Sequence, residues 1–404
     1  MGKAARPFWK ERIIKMDFSL PEDVRQIIDA IKKFLDREVL PLEREHRDLC
    51  EEGKFSKEVH ELGARIRKKS VDLGYYTLHL PEALGGADLS MVGLSAIREE
   101  IAKSGTTILG AFILGDPPMG PTGMLMECTD YQKERYVGPL MRGEKTTCFA
   151  LTEPNAGSDV AAIETTCVRD GDHYVLNGSK HFISNGPYCD FAQVFAANNR
   201  ELGMNGGISA FFVDADTPGF TRHLQRSMAD DDFQSEFFFE DCRVPVENMI
   251  GKEGFGFMSA ATWLSAERLI VASNAVGLAD YLLRLGVEYA KIRVQFKKTI
   301  GSNQAIQWML ADSATELEAA RWLTYHTAWL IDQGDMAIKE ISMAKLYASE
   351  MCDRVVDRIL QVHGGMGYMK ELPVERLYRI SRLLRIGGGT SEIQRHLIAK
   401  MLEL

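Results

Sequence analysis

One carboxylate in the sequence stands where it could act as a general base. Glu267 lies in the segment WLSAERLIV, residues 263–271. At helical spacing, its face of the helix also carries Trp263, Leu264, Ile270 and Val271. These apolar neighbours predict that the helix turns Glu267 toward the interior. Burial raises the pKa of a carboxyl group toward neutral pH, as a general base requires. A structural ion pair with a basic residue is the alternative for an inward glutamate.

Several common cofactor and metal motifs are absent from the sequence. No G-x-G-x-x-G follows a predicted strand, there is no P-loop, and no H-E-x-x-H occurs. His60 and Glu61 lack the second histidine of a zinc motif and are typical of an exposed pair on a helix. The sequence therefore predicts no metal site.

Four short segments combine residue types that suit a flat polar ring and a phosphate group. In chain order they are FALTEPNAGSD (149–159), NGSKHFISNG (177–186), RVQFKKTIGSNQ (293–304) and QVHGGMGY (361–368), which PVER (373–376) and GTSEIQR (389–395) follow. Together and in this order they resemble the signatures of the acyl-CoA dehydrogenase family, and the likeness covers almost the whole chain. The resemblance implies an FAD-dependent enzyme that acts on acyl-CoA thioesters.

The first two segments are expected to contact the flavin ring. An isoalloxazine ring needs hydrogen-bonding groups along its pyrimidine edge and an apolar or aromatic wall. Thr152 and Ser184 supply hydroxyl groups from adjacent strands, and Phe182 supplies the wall. Phe149 and Phe182 replace a more common tyrosine and tryptophan, which keeps the aromatic faces but removes polar groups. The resemblance places Ser158 at both the cofactor and the substrate. Taken singly, each of these residues is more typical of an ordinary strand or loop.

The later segments are expected to hold the pyrophosphate and adenine side of FAD. A pyrophosphate needs backbone N–H groups and a cation, which Arg293, Gln361 and the Gly364-Gly365 turn can supply. In the family these elements grip the FAD of a neighbouring subunit, so the resemblance implies an oligomer, usually a homotetramer built as a dimer of dimers. The other cofactor residues that it implies are Phe296, Gln304, Thr390 and Glu392, the last of which stands where glutamine is frequent.

The usual position of the catalytic base is occupied by a glycine. In many members a glutamate immediately precedes the Gly-Thr of the C-terminal signature, and here that residue is Gly388. The long-chain and isovaleryl-type dehydrogenases instead carry the glutamate just before an Arg-Leu on the first helix of the C-terminal bundle, a position that Glu267 matches. The resemblance therefore makes Glu267 the base. The backbone N–H of Gly388 and a ribityl hydroxyl of FAD are expected to polarise the thioester carbonyl.

Two further residues are implied at the substrate pocket. Arg268 matches a family arginine near the substrate, although a salt bridge within the bundle is an equally good interpretation. Gly387 and Gly388 leave the pocket wall without side chains, which predicts room for branched or longer acyl chains.

The elements that must position these residues follow the order helices, strands, helices. We therefore predict an α+β fold with an N-terminal helical domain (1–145), a middle β-barrel-like domain (146–252) and a C-terminal four-helix bundle (253–404), which is the acyl-CoA dehydrogenase fold. The predicted helices of the bundle cover roughly 255–292, 303–333, 337–362 and 390–402.

Local signals give more detailed predictions. Ser19 and Glu22 have the spacing of a capping box at the first helix, and Pro41 is expected to end that helix. Asn177-Gly178 between two β-rich runs predicts a hairpin turn. Another helix is expected at about 56–73, more helix between residues 90 and 142, broken at 116–118, and a strand at 237–239.

Composition limits the classes of partner. The chain has 404 residues and a formal net charge of -9, with its acidic residues spread along the sequence, which argues against nucleic acid. No apolar run approaches the roughly 20 residues of a membrane helix. The seven scattered cysteines predict reduced thiols of an intracellular protein, cytoplasmic if bacterial and in the mitochondrial matrix if eukaryotic. The basic first fifteen residues favour a short irregular terminus over a presequence, and the acidic tract around Asp230 has no functional account.

The expected reaction is removal of two hydrogens from an acyl-CoA to give the trans-2-enoyl-CoA, with electrons passed to an electron-transferring flavoprotein. Three alternatives stay open. The same fold could serve an oxidase or monooxygenase that uses oxygen directly, a catalytically silent acyl-CoA-binding subunit, or a DNA-binding member. The negative charge and the presence of Glu267 speak against the last of these.

Overall fold

The computed structural model describes residues 19–46, 49, 57–106, 108–229 and 233–404. Helices form the first and third parts of the chain, and one sheet forms the second. The predicted order of helices, strands and helices is therefore confirmed. The basic N-terminal stretch and Asp230 to Asp232 of the acidic tract lie outside the described residues.

The N-terminal domain is a helical layer around one apolar core. Its helices are α1 (Glu22–Phe34), α2 (Leu40–Glu45), α3 (Lys57–Asp72), α4 (Met91–Lys103), α5 (Asp130–Gln132) and α6 (Gly138–Met141), with π-helical turns at Leu35–Val39 and Lys133–Val137. The amphipathic faces of α1, α3 and α4 meet in that core, which is why their apolar residues recur at helical spacing. The predictions of helix near 56–73, and of helix between residues 90 and 142 that is broken around Pro117, are confirmed.

The two predictions about the ends of the first helix are wrong. The N-cap of α1 is Pro21, not Ser19, and Pro21 makes no side-chain capping bond. A residue before proline is held away from helical backbone angles, so Leu20 cannot begin a helix. Pro41 does not end the helical path, because it lies in the first turn of α2 after a π-helical turn. The missing N–H and the ring of Pro41 interrupt regular α-helical bonding, and the π-helical turn Leu35–Val39 lies just before it.

The middle domain is an eight-stranded sheet. Its strands are β1 (Thr147–Ala150), β2 (Thr166–Asp170), β3 (His173–Ser184), β4 (Phe191–Ala197), β5 (Ile208–Asp214), β6 (Phe220–Gln225), β7 (Gln234–Pro245) and β8 (Met249–Ile250). The strand order is β6-β7-β3-β2-β4-β5-β8, and β1 pairs in parallel with β4. Alternate side chains of β3, β5 and β7 fill the apolar core of this domain. The strand predicted at Phe237–Phe239 is confirmed within β7.

The hairpin predicted at Asn177-Gly178 is wrong. Both residues lie inside β3, which runs continuously for 12 residues with a bulge between Leu176 and Gly178. The true turn is Gly171-Asp172, which joins β2 to β3. Gly178 has φ +146°, and a Cβ there would lie 2.6 Å from Thr165. The glycine is therefore required by a close backbone approach rather than by a turn.

The C-terminal domain is a helical bundle. Its helices are α7 (Gly256–Ile292), α8 (Gln304–Asp332), α9 (Ile338–His363), α10 (Gly365–Tyr368), α11 (Val374–Leu384) and α12 (Ser391–Met401), and a short hairpin of β9 (Val294–Gln295) and β10 (Lys298–Thr299) follows α7. The four predicted long segments match α7, α8, α9 and α12. The sequence prediction missed α11, although its apolar residues recur at helical spacing and Pro373 precedes it.

One helix of the described chain, α7, is long and apolar enough to cross a membrane by length and composition alone. Its residues Leu269, Ala272, Val276 and Leu282 are buried in the core of the bundle, against α8 and α9. A core helix of a bundle passes the same test of length and composition, and α7 occupies that position here.

Candidate active site

Glu267 lies on α7 in a recess of the bundle and keeps only part of its surface accessible. Among the described residues it makes no hydrogen bond and no ion pair. Burial raises the pKa of Glu267 to about 7, while the nearby charges of Arg268 and Lys345 act in the opposite direction. The structural ion pair that was the alternative for this residue is not present in this part of the chain. The carboxyl group is free to exchange a proton near neutral pH.

Gly388 lies directly beside this carboxyl group. A Cβ built on Gly388 would be 3.6 Å from both Cδ and Oε2 of Glu267. A glutamate on α7 and a glutamate at position 388 would therefore place their carboxyl groups in the same recess. The backbone N–H of Gly388 makes no hydrogen bond within the described residues. It is thus available as a donor next to a candidate base.

The loop Gly387–Gly389 is fixed by side chains of three helices. Arg268 Nε donates to the carbonyl of Gly388 at 3.0 Å. Gln394 Nε2 donates to the carbonyls of Gly388 and Gly389 at 3.3 and 2.9 Å, and Lys345 Nζ donates to that of Gly389 at 2.8 Å. The salt bridge considered for Arg268 is therefore not found among the described residues, because its guanidinium binds a backbone carbonyl instead. These bonds restrain a triple-glycine segment that would otherwise be very mobile.

The hydroxyl and aromatic residues predicted at the flavin ring lie on neighbouring strands. Thr152 follows β1, and its carbonyl accepts a hydrogen bond from His181 N at 2.8 Å. Phe182 is 65% exposed and has φ +60°, a strained angle for a non-glycine residue inside a strand. Its N–H donates to Gln225 Oε1 at 2.8 Å, which helps to hold this conformation. Ser184 is the last residue of β3.

A buried ion pair lies beneath these residues. Lys180 Nζ is 2.6 Å from Glu153 Oε1 and also donates to the carbonyl of Leu151 at 3.1 Å. Glu153 additionally accepts from the backbone N–H groups of Glu164 and Thr165. The pair therefore joins the loop that carries Thr152 to the strand that carries Phe182. Burial lowers the pKa of Lys180 to about 8, against the opposing charge of Glu153.

The other residues predicted near the ring or the substrate differ in exposure. Phe149 is half-buried, and its ring packs on Phe195 with centroids 4.6 Å apart. Ser158 is exposed. Thr390 is the N-cap of α12 and accepts from Ile393 N at 3.3 Å, while Glu392 is exposed in the first turn of that helix. A Cβ at Gly387 would meet only the carbonyl of Leu383, at 3.8 Å, so the space beside this glycine is open.

The middle domain and the bundle meet beside these groups. Arg379 on α11 donates from Nη1 to the carbonyls of Met228 and Ala229, at 2.7 and 3.4 Å. These two residues precede β7, whose Gln234 pairs with Ser184. Gln234 Oε1 is buried and has no hydrogen-bond partner among the described residues. The exposed ring of Phe182 and the unpaired acceptor of Gln234, on neighbouring strands, fit a flat aromatic ligand with polar edges.

A cavity of about 690 Å³ opens at the same junction. It is lined by Met228, by Tyr378, Arg382 and Arg385, and by charged residues of α9. Ligand sites often lie at domain junctions and have volumes of about 300–1,000 Å³. None of the residues predicted at the site lines this cavity, although Arg385 is only two positions before Gly387.

The remaining predicted cofactor residues form a second group at the far end of the bundle. Arg293 ends α7, and Phe296 lies at the turn of the β9–β10 hairpin with φ +49° and 94% of its surface exposed. Gln304, also exposed, begins α8. A bulky apolar side chain that is held outward in a strained conformation indicates a binding role rather than a packing role.

Gln361 and the Gly364-Gly365 turn join this second group at the end of α9. Gly364 has φ +58° and closes the helix, and a Cβ at either glycine would meet nothing within 4 Å. The ring of His363 stacks on Tyr289 of α7 at 4.4 Å, which fixes the ends of α7 and α9 to each other. The backbone of this turn is therefore open to a ligand.

The base group and the far-end group are well separated within one chain. Glu267 and Arg293 lie on the same helix, 26 residues apart, which corresponds to about 39 Å at the helical rise of 1.5 Å per residue. Two separate stretches of α7 therefore carry different parts of the predicted site. The structure therefore brings the predicted residues into two groups rather than one.

The described residues contain no cluster of histidine, cysteine and acidic side chains that could hold a metal. The prediction that His60 and Glu61 form an exposed pair is wrong for His60, whose ring is partly buried and stacks on Tyr188 at 5.0 Å. Burial lowers the pKa of His60 to about 4. The six described cysteines are all free and buried.

Sequence reasoning missed three residues that shape the site. Lys345 and Gln394 hold the glycine loop, and Gln225 holds Phe182. A signal for Lys345 was present, because it shares one face of α9 with Ile341, Ala344 and Ala348. A charged residue on a buried stripe is uncommon and is a reason to expect a specific role.

The chain matches three family models in succession. These are the N-terminal domain of acyl-CoA dehydrogenase at residues 21–144, its middle domain at 148–242, and its C-terminal domain at 253–403. The caffeyl-CoA reductase–Etf complex subunit CarC of Acetobacterium woodii is 38% identical over 376 residues, which is 93% of this chain and 95% of that protein.

Solved structures show the same fold over nearly the full length. Butyryl-CoA dehydrogenase from Megasphaera elsdenii has a TM-score of 0.84 and 33% sequence identity, covering 96% of this chain and 100% of that one. The FAD complex of PigA has a TM-score of 0.85 and 27% identity, covering 96% and 100%. The predicted three-domain fold is thereby confirmed.

Proposed function

Because this chain belongs to the acyl-CoA dehydrogenase family, we propose that it removes the α and β hydrogens of an acyl-CoA to give the trans-2-enoyl-CoA, with Glu267 as base and FAD as cofactor. Membership makes the protein an oxidoreductase and a flavoprotein. The choice of FAD is supported by the FAD complex of a solved relative. The domain limits 1–145, 146–252 and 253–404 are part of the proposal.

One observation carries this proposal. The carboxyl group of Glu267 is unpaired among the described residues, has a pKa of about 7, and lies 3.6 Å from the Cβ that Gly388 lacks. A base near neutral pKa can lose its proton before turnover and still accept one from carbon. A silent member of the family would have no need of a buried, unpaired carboxylate, which destabilises the fold.

The residues of the chain then have distinct roles. Glu267 takes the α-proton, and the free N–H of Gly388 donates to the thioester oxygen as negative charge develops there. Arg268 and Gln394 hold the carbonyl of Gly388 and so restrain the Gly388–Gly389 peptide, which directly follows the peptide that carries the donor N–H. When bound, FAD supplies the acceptor for the hydride that leaves the β-carbon. Burial in the recess limits the contact of the base with water.

The cofactor would be held by residues of two chains. We place the ring against Phe182, Thr152 and Ser184, with Phe149, Ser158, Thr390 and Glu392 around it. The group of Arg293, Phe296, Gln304, Gln361, Gly364 and Gly365 would bind the FAD of a neighbouring subunit. The roughly 39 Å between Glu267 and Arg293 along α7 supports this division. A homotetramer is the assembly that we propose.

Substrate and acceptor belong to the same proposal. The open space at Gly387, beside Gly388 and Arg268, supports a pocket that admits branched or longer acyl chains. An electron-transferring flavoprotein is the proposed acceptor, and the relative CarC is named as a subunit of an Etf complex. We propose a cytoplasmic location in a bacterium, or the mitochondrial matrix in a eukaryote.

The test is an anaerobic titration of the purified flavoprotein with acyl-CoAs of graded length and branching. The proposal predicts that the visible flavin band is bleached by longer or branched chains and that an electron-transferring flavoprotein restores it. Best turnover with butyryl-CoA and a steady decline with chain length would contradict the wide pocket. A bound flavin that no acyl-CoA bleaches would contradict dehydrogenation.

Two alternatives give different results in the same experiment. An oxidase or monooxygenase would be reoxidised rapidly by oxygen, whereas a dehydrogenase reacts with oxygen slowly. A silent acyl-CoA-binding subunit would bind the thioester without bleaching. Because CarC is named as a reductase, the titration includes the enoyl-CoA and reduced flavin to measure the reverse direction.

A further inference from the structure

Lys345 is a buried lysine in the site, and the packing of the fold does not require a charge at this position. It lies on the buried stripe of α9, and its side chain is fully buried between α7 and the loop Gly387–Gly389. Its ammonium group makes no ion pair among the described residues, and its hydrogen bond goes to the carbonyl of Gly389 at 2.8 Å. A leucine or methionine at this position would avoid the desolvation of a charge. The charge must therefore serve something other than packing.

The charges that face Lys345 come from three helices. Glu267 and Arg268 approach from α7, Glu350 lies on α9 itself, and Glu392 begins α12. Glu267 has the largest electrostatic effect of these on the pKa of Lys345. Burial lowers the pKa of Lys345 to about 8, and Glu267 acts to raise it. The two groups thus stabilise each other's charged forms across the recess.

Glu267 needs such a partner if it is to act as a base. A carboxyl group that is removed from water tends to hold its proton, and a protonated glutamate cannot abstract another. A direct ion pair would correct this, but it would also block the carboxylate from the substrate. A cation nearby that binds a backbone carbonyl favours the ionised carboxylate and leaves its oxygens unoccupied.

We propose that Lys345 is a positioning residue with two roles. Its positive charge favours the ionised form of Glu267 without forming an ion pair, and its hydrogen bond to the Gly389 carbonyl orients the Gly388–Gly389 segment. The inference rests on the proposed role of Glu267 as the base. Gly388 and Gly389 both have positive φ, at +66° and +93°, a conformation that glycine adopts readily. Because glycine has no side chain, the conformation of this segment must be restrained by bonds to its backbone. The bond from Lys345 restrains the peptide that follows Gly389, and Arg268 restrains the one before it. One buried charge therefore acts on the base and also restrains the glycine loop that carries the oxyanion donor.

The test measures the titration of Glu267 without any substrate. Holoenzyme labelled with ¹³C at the glutamate carboxyl carbons is titrated by infrared spectroscopy, and the Glu267 band is assigned by its loss in Glu267→Gln. Lys345→Met should raise the midpoint of this band by about one pH unit, because the nearby positive charge is gone. Lys345→Arg should return the midpoint toward the wild-type value. Lys345→Gln provides the same loss of charge if the methionine variant does not fold.

The control is Lys339→Met, which removes a half-exposed lysine that pairs with Glu340 at the start of the same helix. It should leave the Glu267 midpoint unchanged. An unchanged midpoint in both Lys345→Met and Lys345→Gln would overturn the inference, as would an equal shift in the Lys339 variant.

The pH dependence of flavin reduction by acyl-CoA is the second readout. In Lys345→Met the acidic limb should move upward with the infrared midpoint, and a loss of rate should remain at high pH because the glycine loop is no longer held. A limb that stays in place while the infrared midpoint moves would contradict the link to catalysis. If no acyl-CoA bleaches the wild-type flavin although the infrared midpoint shifts, the proposed function fails and the electrostatic coupling stands.

Discussion

At the scale of single residues, the site is organised around a carboxylate that its cationic neighbours do not neutralise. Arg268 and Lys345 both lie close enough to affect Glu267, yet each donates its hydrogen bond to a carbonyl of the glycine loop. The result is an ionisable group that is buried and unpaired, with its pKa raised to about 7. Such groups lower the stability of a fold and are typical of catalytic sites.

Because burial of the ionised Glu267 carboxylate destabilises the fold, we predict that Glu267→Gln increases stability in a pH-dependent way. The folded pKa of about 7 lies above the ordinary value of 4.5, so the folded protein binds more protons between those values. Wild-type stability from this group is fully present below pH 4.5 and is lost as pH rises through 7. We expect the glutamine variant to be more stable by about 2–3 kcal/mol at pH 8 and nearly equal at pH 4.

Denaturant unfolding of the two proteins at both pH values measures this difference. A variant that is equally or less stable than the wild type at pH 8 would show that Glu267 does not pay a desolvation cost.

The candidate base could be predicted from the sequence, whereas its surroundings could not. Glu267 stands on an apolar helical stripe, which left an ion pair open as an alternative. The family resemblance, with Gly388 where a glutamate is usual, singled out Glu267 without any knowledge of tertiary contacts. Lys345 is separated from Glu267 by 78 positions, and only the packing of α9 on α7 brings them together. Its role depends on a tertiary contact that no spacing reveals.

At the scale of elements, the cofactor face depends on strands that are held in strained positions. Phe182 has a left-handed backbone angle within the irregularity of β3 against β7 that lies between Lys180 and Ile183. The buried pair of Glu153 and Lys180 joins the loop after β1 to β3 directly beneath it. Strain of this kind persists only where the surrounding contacts determine the conformation.

We therefore expect Lys180→Met to lower stability by about 3–5 kcal/mol, because Glu153 would be left buried without its charge partner. The variant should also lose flavin more readily, since the loop with Thr152 would be released from β3. Thermal unfolding and the flavin content after dialysis measure the two effects.

Arg243→Met provides the control, because Arg243 pairs with Asp170 at 2.7 Å on the exposed surface of the same sheet. Its effect on stability should be below about 1 kcal/mol. Equal effects of the two substitutions would mean that the buried pair is not what fixes the cofactor face.

The elements themselves were predictable to different degrees. The long helices of the bundle followed from the 3.6-residue period, because each buries one apolar face along its full length. The turn predicted at Asn177-Gly178 was wrong because the pairing of β3 with both β2 and β7 outweighs the local turn propensity. The cap predicted at Ser19 was wrong because Pro21 restricts the residue before it, so the helix begins later.

At the scale of the whole molecule, the predicted site residues form two groups that lie far apart along α7. Glu267, Arg268 and Gly388 form one complete group within a single chain. Arg293 and the outward Phe296 form another that nothing in the same chain covers among the described residues. If FAD is held between subunits, each site takes its base from one chain and the cofactor-binding residues Arg293 and Phe296 from the next.

Mixed oligomers test this division. Glu267→Gln and Arg293→Ala should each be inactive alone, but their co-expression should restore up to about a quarter of wild-type activity, because some sites then receive both intact groups. Co-expression of Glu267→Gln with Arg268→Ala is the matched control. Both of those residues belong to the same chain's site, so no recovery is expected. Recovery in the control, or none in the test pair, would contradict the shared site.

The central claim is that Glu267 is the base that takes the α-proton of the acyl-CoA. The most direct measurement is the rate of anaerobic flavin reduction by a saturating acyl-CoA, in rapid mixing, for the wild type and Glu267→Gln. The account predicts a rate that rises with pH through about 7 in the wild type. It also predicts a loss of at least about 10²–10⁴-fold in the variant, with the flavin spectrum unchanged. A glutamine variant that reduces its flavin at close to the wild-type rate would contradict the assignment.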